Sequence, residues 1–168
     1  MDFLHLMFER IGLMVEIING RSINGSDIVI AGSSVKPKLF YVVDHLVEGN
    51  IQIDVPLPVK TARCSKQYLQ NVVVSNLSSF LLSSSCPQPI NISYHWRNDD
   101  GECVNYDGLR TMLSPLGLMP GCTQEREVKI STPSAPGIYL LEITLVQEGV
   151  AWFEDYGFCC ASHNVAVG

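Results

Sequence analysis

Residues 90–101 read INISYHWRNDDG, and their reading decides the fold. Ile90, Ile92, Tyr94 and Trp96 alternate with Asn91, Ser93, His95 and Arg97. A period of two over eight residues places the apolar set on one face of a strand and the polar set on the other. Asp99-Asp100-Gly101 then has the chemistry of a hairpin turn, and ECVNYDG at 102–108 is the return strand. Outward from this unit the pattern repeats. YLQNVVVSNLSS at 68–79, EREVKIS at 125–131, IYLLEITLVQ at 138–147 and HNVAVG at 163–168 read as strands. EGVAWFEDYG at 148–157 reads as a hairpin back. IQIDVPLPV at 51–59 alternates as an edge strand would and is ended by Pro56 and Pro58. About seven strands separated by turn signals predict an all-β protein, an immunoglobulin-like or jelly-roll antiparallel β-sandwich.

Residues 1–34 differ. Asp2 to Arg10 reads as a short amphipathic helix ended by Gly12, followed by strands at 13–18 and 27–32 around a Gly/Asn-rich loop. The expected division is an α-plus-hairpin appendage at 1–34, a linker and edge strand at 35–66, and the sandwich at 67–168.

The chain has 168 residues, 46% of them hydrophobic and 17% charged. A chain of this length buries roughly two-thirds of its unfolded surface and folds without a metal or disulfide. The net charge of −6, with Lys and Arg scattered singly, excludes a nucleic-acid binder. No apolar run reaches the roughly 20 residues of a membrane helix, and no basic start marks a signal peptide. The expectation is therefore a cytoplasmic protein without direct membrane insertion. Its six cysteines show no C-x-x-C spacing and read as free thiols, with no metal site and no cofactor. No Gly-rich phosphate loop is present either.

Candidate binding residues come with two readings each. Trp96 is either a core residue between two sheets or a ring on which a sugar stacks. His95 reads as a surface or hydrogen-bonded histidine. Arg110, after the Asp107-Gly108 turn, is either a fork for a ligand's carboxylate or hydroxyls, or a pin paired to Asp107 or Glu148. Glu148 and Trp152, flanking a tight turn, are either a carbohydrate subsite or a hairpin fixed by a Glu-to-backbone bond. The carboxylates 142, 148, 154 and 155 make no glycosidase pattern.

Taken in order, Ser93-Tyr94-His95-Trp96, Gly101, Asp107-Gly108, Arg110-Thr111, Leu113, Pro120-Gly121, Pro136-Gly137, Tyr139, Leu141 and Leu145 to Phe153 resemble the C-terminal domain of Wzt. Wzt is the nucleotide-binding subunit of bacterial ABC transporters that export O-antigen polysaccharides. The resemblance covers roughly residues 68–167. It implies an immunoglobulin-like sandwich that recognises a glycan, often as a homodimer, and no catalysis. The residues weighed above, Trp96, Asp107, Arg110, Glu148 and Trp152, are the candidate glycan contacts. The chain lacks the transporter's Walker A motif. FERIGLMVEIINGRSINGSDIVIAG at 8–32 is instead similar to the tail of a class I S-adenosylmethionine-dependent methyltransferase, whose cofactor-binding part is not in this sequence. The expected partners are a polysaccharide and polysaccharide-assembly enzymes or an ABC transporter, met at the inner face of the inner membrane. The alternative is a structural or dimerisation domain of a polysaccharide-modifying methyltransferase or glycosyltransferase.

Overall fold

The computed structural model describes residues 41–85, 88–114 and 116–168. The expected α-plus-hairpin appendage at 1–34 lies outside the described residues. Residues 41–168 form one compact unit. Its strands are β1 (Ile51–Asp54), β2 (Thr61–Ala62), β3 (Gln67–Asn76), β4 (Ile90–Arg97), β5 (Cys103–Asn105), β6 (Thr111–Met112), β7 (Cys122–Ser131), β8 (Gly137–Gln147), β9 (Ala151–Trp152) and β10 (Ala161–Val167). Helical structure among the described residues is confined to two 3₁₀ turns, Val42–His45 and Phe153–Tyr156.

The strands form two sheets, one ordered β1-β3-β7 and one ordered β2-β10-β8-β4-β5. In the larger sheet β6 also pairs with β4, and β9 with β8. This is an all-β, immunoglobulin-like sandwich. The edge strand expected at 51–59 is β1, which pairs antiparallel with the end of β3. Residues 61–62, expected in a linker, form β2. It pairs parallel with the end of β10, an exception to the antiparallel rule. The expected hairpin back at 148–157 turns on Gly149, at φ +70°, but pairs with β8 only through Ala151 and Trp152. The chain then coils, because Phe153 is drawn fully into the core and packs edge-on against Phe158.

Alternation builds the core. Val72 and Val74 of β3 and Val128 and Ile130 of β7 face Ile90, Ile92, Tyr94 and Trp96 of β4 and Leu141, Ile143 and Leu145 of β8, all fully buried or nearly so. Two side chains pin the corners. Trp96 has no exposed surface, and its indole N–H donates to the Ser131 carbonyl at 2.9 Å, which ties β4 to the end of β7 in the facing sheet. Tyr139, at the start of β8, meets the Trp96 ring edge-on at 6.1 Å and donates its hydroxyl to the Ala135 carbonyl four residues upstream. A buried tryptophan on the third core strand and a tyrosine corner at the start of the sixth are recurrent in immunoglobulin-like sandwiches. Buried polar groups close the loops. Gln70 donates to the Leu57 and Asn71 carbonyls and accepts from the Val59 amide, so the Pro56–Pro58 turn is held to β3. The described cysteines, 64, 103, 122, 159 and 160, are free thiols.

Candidate functional site

The polar face of β4 is not a solvent face. Asn91, Ser93 and His95 are 8%, 0% and 2% exposed, so both faces of the strand are covered. The inner cover is the sandwich core. The outer cover comes from two segments: 105–110, which returns alongside β4, and 148–156, which follows β8. Gly108 makes the first approach possible. Its amide donates to the Tyr94 carbonyl, and a Cβ there would lie 2.5 Å from that oxygen.

A continuous set of contacts runs across this outer face. Asn91 Nδ2 donates to Glu148 Oε1 at 3.0 Å. Arg110 donates from Nε to the same oxygen at 2.7 Å. From Nη1 it reaches Asp107 Oδ1 at 2.6 Å, the Gly108 carbonyl at 2.8 Å and Ser93 Oγ at 3.0 Å. Its guanidinium carbon lies 4.9 Å from the centre of the Trp152 ring, a cation–π distance. Trp152 meets Tyr106 edge-on at 5.3 Å and His95 at 4.4 Å, and Tyr106 stacks on His95 at 4.5 Å. His95 then bonds the Tyr106 carbonyl through Nδ1 and Glu154 Oε1 through Nε2, the latter at 2.6 Å. Thr144 of β8 donates to Glu154 Oε2 at 2.6 Å. Beside this set Arg97 donates to Glu142 at 2.6 Å.

The electrostatics follow from these bonds. Burial works against the charge on Glu154, but the bonds from His95 and Thr144 outweigh it and hold its carboxyl below the ordinary 4.5. His95 faces a carbonyl through one ring nitrogen and a carboxylate through the other. Burial likewise opposes the Arg110 charge, and the bonds to Glu148 and Asp107 raise its pKa regardless. Burial also pushes the Tyr106 hydroxyl up, with Asp155 and Glu154 adding to it.

Of the five candidate contacts, the fold brings four together. Asp107, Arg110, Glu148 and Trp152 form one patch on the outer face of the larger sheet. Trp96 does not join them. Its side chain points to the inner face, no part of its ring reaches solvent, and no sugar can stack on it. It is the core residue of its two readings. Arg110 is paired to both Asp107 and Glu148 rather than to one of them. His95 is the hydrogen-bonded histidine of its two readings, buried in a polar network rather than on the surface. The residues that sequence reasoning left out are Tyr106, 49% exposed at the rim, and the pair His95–Glu154 beneath it. Their signal was in the register. Ser93 and His95 stand opposite Thr144 and Glu142, so polar side chains of β4 and β8 gather on one face.

Away from the patch a cavity of about 680 Å³ opens between β1 and β10 and is lined by His163, Lys60, Asp54 and Ser162 among others. None of the five candidate contacts lines it.

No family model matches the chain. No curated protein matches it. Solved structures do. The CARDB domain of a Pyrococcus furiosus protein, crystallised in complex with di-metal ions, aligns at 16% identity with a TM-score of 0.43, over 70% of this chain and 87% of that one. Its solution structure aligns at 17% identity and 0.45, over 70% and 94%. A β-glucosidase from Listeria innocua in complex with isofagomine aligns at 10% identity and 0.48, over 70% of this chain but only 16% of the enzyme.

Proposed function

We propose that the sandwich is a non-catalytic carbohydrate-binding module that recognises a bacterial surface polysaccharide of the O-antigen type during its assembly or export. The observation that carries this reading is the patch of Trp152, Tyr106, Arg110, Asp107 and Glu148. It joins part-exposed aromatic rings to polar groups that are already fixed in place. An aromatic ring covers the apolar face of a pyranose, and fixed carboxylates and amide or guanidinium donors meet its hydroxyls. The resemblance of residues 68–167 to the C-terminal domain of Wzt points the same way. Glu148 and Glu154 serve here as anchors for Arg110 and His95, a binding surface's use of carboxylates rather than a hydrolase's. The module would act beside polysaccharide-assembly enzymes or a transporter at the inner face of the inner membrane.

Recognition on so open a surface is shallow, and affinities per site fall at about the millimolar to micromolar level. An NMR titration with O-antigen fragments should shift the Trp152 indole and Arg110 Nε–H signals and leave the Trp96 indole unmoved. Trp152→Ala should abolish the response without unfolding the protein. No movement with any fragment would sink the reading.

A second reading, a dimerisation domain, is favoured by one observation. Val104, Leu109 and Met112 are 48%, 40% and 53% exposed on or beside the segment that carries Arg110. A dimer in sedimentation that Met112→Lys dissociates would favour it.

A further inference from the structure

We propose that the outer-face patch selects uncharged glycans and turns away acidic ones. The inference rests on the glycan-binding reading above and concerns the chemical class of its ligand. A surface built for phosphate or uronate presents guanidinium forks to solvent. Here the cations are already engaged. Arg110 is held by Glu148 and Asp107, and Arg97 by Glu142. Two carboxylates, Asp107 and Asp155, face outward. Asp107 is 72% exposed at its side chain against 30% for Arg110. Asp155 is exposed near the Tyr106 hydroxyl, and no ion pair engages it among the described residues. With Arg110 shared between two carboxylates, Asp107 and Asp155 leave the rim of the aromatic patch acidic.

An anionic sugar laid on Trp152 would have to compete with Glu148 and Asp107 for Arg110 while standing next to these charges. An uncharged pyranose meets no such opposition. It uses the same carboxylates as hydroxyl acceptors. The discrimination is therefore electrostatic, and salt should weaken it, since added ions screen exposed charges more than about 10 Å apart at 0.1 M and more than about 3 Å apart at 1 M.

The test is a titration of the full chain with two bacterial polysaccharide fragments of matched length, one neutral and one carrying uronic acids, at low and high salt. The Trp152 indole signal is the readout. The expected result is binding of the neutral fragment with little salt dependence. The acidic fragment should bind at least about tenfold more weakly at low salt, the gap narrowing at high salt. Asp155→Asn, which breaks no ion pair among the described residues, should strengthen binding of the acidic fragment several-fold and leave the neutral one unchanged. Equal or tighter binding of the acidic fragment would overturn the inference while leaving the glycan-binding reading standing. An Asp155→Asn variant with unaltered selectivity would also count against it. Binding of neither fragment would overturn both.

Discussion

Gly108 leaves no room for a side chain. A methyl group there would meet the Tyr94 carbonyl oxygen at 2.5 Å and its ring carbons at 2.7 and 2.8 Å, and the oxygen belongs to a paired strand that cannot retreat. Gly108→Ala should cost about 2–3 kcal/mol in urea unfolding, the upper range for overpacking. It should also displace Arg110, which bonds the Gly108 carbonyl, so the glycan response should fall with stability. The two tryptophans make a contrasting pair. Trp96→Ala empties a fully buried site and strands the Ser131 carbonyl, and should cost about 3–5 kcal/mol. Trp152→Ala removes a part-exposed ring with two aromatic partners and should cost about 1 kcal/mol while removing the binding surface. Thermal unfolding of both variants distinguishes scaffold from surface. A comparable loss of stability in the two would contradict this assignment.

At the scale of elements, β4 and β8 carry both the core and the candidate site. The start of β8 is anchored by the Tyr139 hydroxyl, and Tyr139→Phe should lose about 1 kcal/mol, the worth of one such bond, with the ring packing against Trp96 retained. The alternation in INISYHWR was legible from sequence, and it placed Trp96 and His95 on opposite faces. What covers the outer face was not legible. Ser93 and His95 are polar residues at positions that local pattern assigns to water. Their cover is Tyr106, Gly108, Trp152 and Glu154, from segments up to 59 residues away in sequence. No local rule encodes that return path. For the same reason β2 and β9 escape a periodicity argument. They are two residues long, too short to repeat a period of two, and exist because β10 and β8 offer them an edge. The cluster of Asp107, Arg110, Glu148 and Trp152 was partly readable, since two tight turns each carried a charge beside a strand. That Arg110 would take both carboxylates at once depends on the two turns meeting over β4.

At the scale of the whole molecule, one buried group and one part-buried group set separate pH windows. His163 is 9% exposed, and neither ring nitrogen finds a partner among the described residues. Burial, with Lys60 adding to it, holds its pKa below the ordinary 6.5. The unfolded chain then takes up the proton first. Stability should be full above pH 6.5, fall as pH drops below it, and level off once the folded ring also protonates. Glu154 acts lower. Its carboxyl titrates below 4.5 in the folded state, so the stability from its bonds to His95 and Thr144 is present above 4.5 and lost as pH falls through the folded value. Urea midpoints measured from pH 8 to pH 3 should therefore fall in two steps. His163→Leu should remove the upper step alone, and Glu154→Gln the lower one. A single smooth decline unchanged by either variant would contradict the assignment.

The stacking of Trp152, Tyr106 and His95 has an optical consequence. The chain has two indoles, one sealed between the sheets and one in contact with an imidazole ring at its rim. The part-exposed Trp152 should emit further to the red than the sealed Trp96, so the two rings contribute distinguishable components to the resting spectrum. Anything that settles on the outer face and covers Trp152 should then change the red component of that emission, while the blue component stays constant as an internal standard. The molecule in that sense carries its own dye at the one place where occupancy is to be measured.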